Sequence, residues 1–489
     1  MTRIPPKPQA MKHHTFPYLI QLLVLSSLSL WGCKQSEKRT AAPDPLAEEQ
    51  AALADELEES LFAYILDPWY PRVIDTLNGG YISSFDRKWS VSRGGQIKAL
   101  VQQARHLWAT SFILEHYPGR TEYLEYARHG FWFLKEKMWD HESGGFHAYC
   151  SEDGTPIPES IHEKRVYGQA FAVYALSQYY RVSQDEEALR LVKQQFQWME
   201  EGAHDPEFGG YFEFLTREGT PAWQEQTGEE KKEAPMVALK DYNSSIHLME
   251  AFTQLYAIWP DPGVRERLEE MFYLVRDTFV HPDGFLQLYF HADWTLADDE
   301  LESNSGGNSW FTKHYTYGHD VETAFLLLET AHLLGWGDDA KTHRIAKRLV
   351  DHSLESGWDR ERGGFFDAGR AEGDSVVIIN DHKSWWGLVE GMNALLLMHT
   401  HYPDDPADYY GKFLQAWKHI DTYLIDKTYG GWYNSALDTD PESIDQLKSH
   451  IWKTTYHNTR GMIHCIETLR GRPPTPNSTN STHSTHSTN

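Results

Sequence analysis

Cysteine is scarce, with three in 489 residues, at positions 33, 150 and 465. A disulfide-stapled scaffold finds no support in that count, so Cys150 and Cys465 read as buried apolar residues. Basic charge is short too: 45 Lys and Arg stand against 71 Asp and Glu, a net charge of −26. Such a chain repels phosphate backbones, which argues against nucleic acid and for a neutral polar small molecule as the partner. No H-E-x-x-H pair or cysteine cluster offers metal-ligand spacing, so no metal is expected. Phosphate-cradling and dinucleotide-binding loops are missing as well, because the glycine pairs precede aromatics instead of opening helices, and no cofactor is expected.

Long apolar runs are also lacking. The run YLIQLLVLSSLSLWGC follows Lys12, His13 and His14, is too short to span a bilayer and turns polar at once, as an export signal does. Leu30-Trp31-Gly32-Cys33 resembles a bacterial lipobox, which implies lipid on Cys33, and Lys34 in place of Asp favours the outer over the inner membrane. Residues 1–33 are thus expected to be a signal, 34–50 a tether, 51–472 the folded domain and 473–489 a disordered low-complexity tail. The expected location is exported, lipid-anchored to the outer membrane or periplasmic, with membrane contact only through the anchor.

What the chain does have is aromatic side chains, 18 Trp and 26 Tyr among them, a surplus that suits a groove for the apolar faces of sugars. It also has a repeat. NGGY, SGGF, FGGY, PDGF, RGGF and YGGW, each a Gly-Gly or Asp-Gly pair before an aromatic, place the glycine next to the aromatic at 80, 145, 210, 284, 364 and 431. Between them, apolar residues recur at helical spacing in two segments, one apolar nearly all round and one charged on one side. The pattern predicts inner and outer helices joined by short hairpins or turns, hence an all-α (α/α)6 barrel, with an open solenoid as the alternative. Polar insertions fall near 214–240 and 299–312.

Inner helices that begin with polar residues present them to one mouth, where backbone N–H groups are free. VQQARHLWATS offers Arg105, KRVYGQAF offers Tyr167, and DYNSSIHLMEA offers Asn243 and His247 on a shared face. YGHDVETAF adds His319 and Glu322, HKSWWGLVEG adds Trp385, Trp386 and Glu390, and IWKTTYHNTRGM adds Trp452, His457, Asn458 and Arg460. Most histidines on amphipathic helices are structural, and His106, His332 and His382 are read so. His247, His319 and His457 differ because they hold equivalent places in separate repeats, and imidazole can take or give a proton near neutral pH.

The segments KRVYGQAFAVYALSQYYR, SIHLMEAFTQLYAIWPD, YGHDVETAFLLLETA, KSWWGLVEGMNALL and YHNTRGM resemble, in order and approximate spacing, the N-acylglucosamine 2-epimerase superfamily and most of all its cellobiose 2-epimerase branch. The resemblance implies an (α/α)6 barrel that inverts C2 of the reducing-end residue of a β-linked disaccharide. It implies that His319 and His457 exchange the C2 proton and that His247 assists ring opening or proton transfer at O1. Arg105, Tyr167 and Asn243 would surround the reducing sugar, Glu322 would orient His319, and Trp385, Trp386 and Trp452 would lie around the sugars. Glu390 and Arg460 complete the expected substrate-binding set. Asp320 is expected to interact with free N–H groups at its own helix start. WWGLVE departs from the family's frequent WWPQAE, which bears on the wall of the pocket. The rival readings are an aldose–ketose isomerase using the same enediolate, an (α/α)6 glycoside hydrolase using Asp320 and Glu390, and a non-catalytic sugar-binding lipoprotein.

Overall fold

The computed structural model describes residues 45–92, 96–157, 164–222, 239–297, 314–373 and 375–472. The signal with Cys33, most of the tether, the tail and much of both insertions lie outside the described residues. Helix α1 (Pro45–Leu61) takes in the last residues assigned to the tether, since PLAEEQ carries proline at the start and helix formers after it. Eleven more follow: α2 (Leu100–His116), α3 (Glu122–Phe133), α4 (Val166–Ser183), α5 (Glu186–Gly202), α6 (Tyr242–Ile258), α7 (Pro262–Leu274), α8 (Tyr317–Leu333), α9 (Ala340–Ser356), α10 (Trp385–His401), α11 (Tyr409–Tyr423) and α12 (Tyr456–Leu469).

The even-numbered helices form the inner layer. Each packs on the next, α2 on α4, α6, α8, α10 and α12 in turn, and α12 packs back on α2. That last contact closes the ring and separates a barrel from an open solenoid. Sequence dictates the layering: α4 is buried continuously from Val166 to Tyr179, whereas α5 buries only Ala188, Leu191, Val192, Gln195, Phe196 and Met199, one stripe at helical spacing. A fully buried side chain such as Leu176 contributes about 1.5–3 kcal/mol. Aspartate caps start four outer helices, with Asp185, Asp261, Asp339 and Asp408 each accepting from a backbone N–H of the first turn.

Short antiparallel strands join the units. β1 (Lys98–Ala99) pairs with β2 (Tyr149–Cys150), β3 (Lys164–Arg165) with β4 (Phe214–Leu215), and β5 (Lys240–Asp241) with β6 (Tyr289–Phe290). β7 (Tyr315–Thr316), β8 (Ala368–Glu372) and β9 (Ser375–Asn380) make a three-stranded sheet. At the glycine pairs both residues have positive φ, as at Gly79 (84°) and Gly80 (66°), a region that L side chains rarely enter. The next residue closes the turn by pairing backward, Ile74 with Tyr81 and Trp139 with Phe146. The fourth turn differs from its expected alignment. It is one residue shorter, and Leu286, not Phe285, takes the bridging place opposite Val280.

The seam between first and last units is held by polar contacts. Arg105 Nη1 donates to the Trp452 carbonyl at 2.9 Å, Ser449 Oγ to the Ser83 carbonyl at 2.8 Å, and Tyr70 and Thr455 hydroxyls meet at 3.0 Å. Both Cys150 and Cys465 are buried free thiols.

Candidate active site

The inner helices bring their first turns together at one mouth, and three buried or half-buried histidines from three helices define the floor there. His247 Nδ1 lies 2.8 Å from Glu250 Oε2, one helical turn on in α6. His457 Nδ1 lies 2.8 Å from Glu390 Oε1, which reaches it from α10. His319 Nδ1 faces the Tyr242 hydroxyl at 3.3 Å. Two imidazoles are therefore backed by carboxylates and one by a phenol. Trp386 touches both His319 and His457, with ring centroids 4.6 Å and 5.6 Å away.

Behind the histidines sits Arg460, 1 % exposed. Its Nη1 donates to Glu250 and its Nη2 donates to Glu322 and, at 2.7 Å, to Glu390. Burial works against the guanidinium's charge, but Glu390, Tyr456, Glu250 and Glu322 overrule it and hold the pKa well above the usual arginine value. Burial likewise opposes ionisation of Glu250, yet Arg460 and His247 bring its pKa down to about 2. Burial raises that of Glu390, against the pull of Arg460. Burial first, then the positive charge of neighbouring groups, pushes His319 and His457 well below the usual histidine value, and Glu322 opposes the shift at His457.

On the other side of the mouth, Arg105 Nη2 donates to the Tyr167 hydroxyl at 2.9 Å and its guanidinium lies over the Phe171 ring at 4.4 Å. Tyr167 also edges onto His247, with centroids 5.4 Å apart. Asn243 is half-buried at the start of α6. Trp452 is 37 % exposed on the rim, its ring 6.4 Å from Tyr167.

Several expected placements are corrected. Glu322 does not orient His319: its Oε1 bonds Arg460 and lies 3.9 Å from His457 Nδ1. Arg460 is enclosed among carboxylates and works from behind the histidines instead of facing substrate. Trp385 does not join Trp386; its ring lies under Lys453 Nζ at 5.0 Å and edges onto His450. Asp320 does not cap its own helix but accepts from the Leu286 N–H at 2.9 Å. In the same register of α2 and α4, Gln103 and Gln169 clasp the backbone of Tyr81 and Phe146. His106 is structural as read, buried against the Tyr70 hydroxyl.

Glu250 and Tyr242 were not singled out from sequence. Glu250 stands three residues after His247, the spacing that drew attention to Glu322 after His319. Glu322, Glu390 and His457 bring ligand atoms within 4.8 Å of one another, a spacing a cation could use. Arg460 already supplies positive charge between the two carboxylates. What the arrangement can do is move protons at two imidazoles that share one mouth, with a guanidinium and a third histidine available to an oxyanion.

These features define a sugar isomerase in class. The family model for N-acylglucosamine 2-epimerase (GlcNAc 2-epimerase) matches residues 80–460, and the chain belongs to that family. The chain is 28% identical over 419 residues to a cellobiose 2-epimerase of Bacteroides fragilis, covering 85% of this chain and 98% of the relative. The solved cellobiose 2-epimerase of Spirochaeta thermophila superposes with a TM-score of 0.73 at 28% identity, over 88% of this chain and 99% of that one. A D-mannose isomerase of Marinomonas mediterranea is 23% identical over 404 residues, covering 82% of this chain and 94% of the relative. The chain is a sugar epimerase by family.

Proposed function

We propose that the protein inverts C2 of the reducing-end residue of a β-linked disaccharide, of cellobiose or mannobiose type, through ring opening and an enediolate. The single observation that carries the reading is the convergence of His319 and His457, from different hairpins, on Trp386. In the opened aldose the carbonyl at C1 makes the C2 hydrogen acidic. One of the two histidines takes that proton, and the electron pair moves onto O1. Arg105 and His247 stand where they can stabilise the charge there. The other histidine then returns a proton to C2 from the opposite face, and the carbonyl re-forms with inverted C2. Glu390 steadies the imidazolium of His457 when that residue holds the proton, and Tyr242 fixes the ring of His319. No redox change occurs, and protons balance over the cycle.

Incubation of the protein with cellobiose, mannobiose, mannose and N-acetylglucosamine in deuterated water tests this. The expected result is the C2 epimer of a disaccharide with deuterium at C2, and near-complete loss of turnover in His319→Ala and His457→Ala. Either variant keeping wild-type turnover refutes the two-histidine assignment. The mannose isomerase relative favours one second reading, in which the proton is delivered to C1; a ketose product labelled at C1 would establish it. Export and a lipid on Cys33 belong to the same proposal, supported by the apolar run and lipobox-like residues, and mass spectrometry of the mature chain finding Cys33 unmodified would end that part.

A further inference from the structure

Five of the six turns share one device at their outer corner. A buried lysine ahead of an inner helix reaches the aspartate that opens the glycine turn: Lys98 to Asp75 (2.8 Å), Lys164 to Asp140 (3.1 Å), Lys240 to Asp205 (2.7 Å), Lys383 to Asp359 (2.7 Å) and Lys448 to Asp426 (2.9 Å). The fourth turn breaks the rule. By strand register Tyr315, paired with Gly369, holds the place of Lys98, Lys164 and Lys240, and His281, directly after the bridging Val280, holds the place of the aspartate.

Rings replace the ion pair. Phe285 lies 4.5 Å from His281 and 4.4 Å from Tyr315, centroid to centroid. Beside them opens a cavity of about 490 Å³, within the range of small-molecule sites. Among the described residues, this is also the only junction that carries a third strand, β9, and Arg370 and Glu372 from β8 line the cavity. Three departures from the repeat therefore coincide. Neighbouring strand residues face opposite ways, so Tyr315 looks into this cavity and away from the side that Thr316 faces. His314 of the lining acts on His319 through its charge, and the rest of the lining comes mostly from the fourth turn, β7 and β8, not from the first turns that carry the three histidines.

We propose that this corner is a second, non-catalytic carbohydrate site that holds one residue of a neutral oligosaccharide. Arg370 and Glu372 pair at 2.6 Å and cancel in charge, which disfavours ionic ligands. Gln287, Arg370 and Glu372 offer donors and acceptors in the mixture that sugar hydroxyls need, and Phe285 with Tyr315 offers an apolar wall. The choice of sugar over another neutral polar ligand rests on the family's chemistry; the site itself rests on the broken repeat.

The test installs what the other corners have. His281→Asp with Tyr315→Lys rebuilds the lysine–aspartate pair and closes the wall. Calorimetric titration with cellobiose and cellohexaose, in a His319→Ala background that halts turnover, is expected to show two sites per chain in the parent and one in the variant. In the catalytically intact background the same double substitution is expected to leave kcat and KM for cellobiose unchanged. One site in the parent for both sugars, or two sites retained in the variant, overturns the proposal. Should the double variant fold poorly, Gln287→Ala with Arg370→Ala replaces it, with a loss of at least tenfold in second-site affinity expected and no change counting against. Two sites in a wild-type protein that fails to epimerise would refute the catalytic reading and leave this one standing.

Discussion

Replacing Arg460 with Met keeps an unbranched buried side chain and removes the charge that Glu250, Glu322 and Glu390 share. Taking one partner from a buried ion pair costs about 3–5 kcal/mol. A second route gives a similar figure: the gap between about 2 for Glu250 and an ordinary 4.5 corresponds to about 3 kcal/mol, with Arg460 its largest favourable cause. Because that pKa is depressed in the folded protein, the stabilisation is full above about 4.5 and fades as pH falls toward about 2. At roughly 2.1 cal/mol/K per residue, some 390 described residues carry an unfolding entropy of about 0.8 kcal/mol/K, so about 3 kcal/mol lowers Tm by roughly 4 °C. Scanning calorimetry at pH 7 should show that drop, and the offset between the two proteins should shrink as pH falls below about 4.5 toward about 2. An unchanged Tm at pH 7, or an offset that persists in acid, would mean that the carboxylates do not depend on Arg460.

Glu390→Gln should cut kcat by roughly 30- to 100-fold, the worth of about 2–3 kcal/mol for one charge-assisted bond to His457, while Tm holds or rises because burial already disfavours that charge. Equal losses of stability and activity would assign Glu390 to packing. Tyr242→Phe should lower kcat by about tenfold with KM little changed and shift the pH–rate profile, as expected of a positioning residue about 1.4 kcal/mol in effect; an unaltered profile would make Tyr242 a packing residue. Trp452→Ala should weaken disaccharide turnover by roughly tenfold for each 1.4 kcal/mol of stacking lost and monosaccharide turnover less, and equal losses would show that the rim indole only closes the seam.

The six-fold repeat was legible because a positive-φ glycine pair is a local demand that leaves a local mark. Inner and outer layers were legible because one helix of each pair is apolar all round. Partners across the barrel were not. His247–Glu250 and His319–Glu322 have the same i, i+3 spacing, yet only the first pair meets: Glu250 spans His247 and Arg460 with its two oxygens, whereas Glu322 bonds Arg460 and leaves His319 to Tyr242. Spacing on one helix allows a contact without ensuring it. The same limit hid Tyr242 as the partner of His319, and Leu286 in the bridging place, where a turn one residue shorter shifts the register without altering the glycine motif.

The hydrogen bond from Arg105 to the Trp452 carbonyl does two jobs, since it closes the ring and fixes a group at the mouth. Catalytic competence is then a gauge of closure. A partial separation of the first and last hairpins would displace Arg105 from the mouth while nearly every helix stayed folded, so inactivation by mild denaturant should run ahead of any loss of helicity and report the seam.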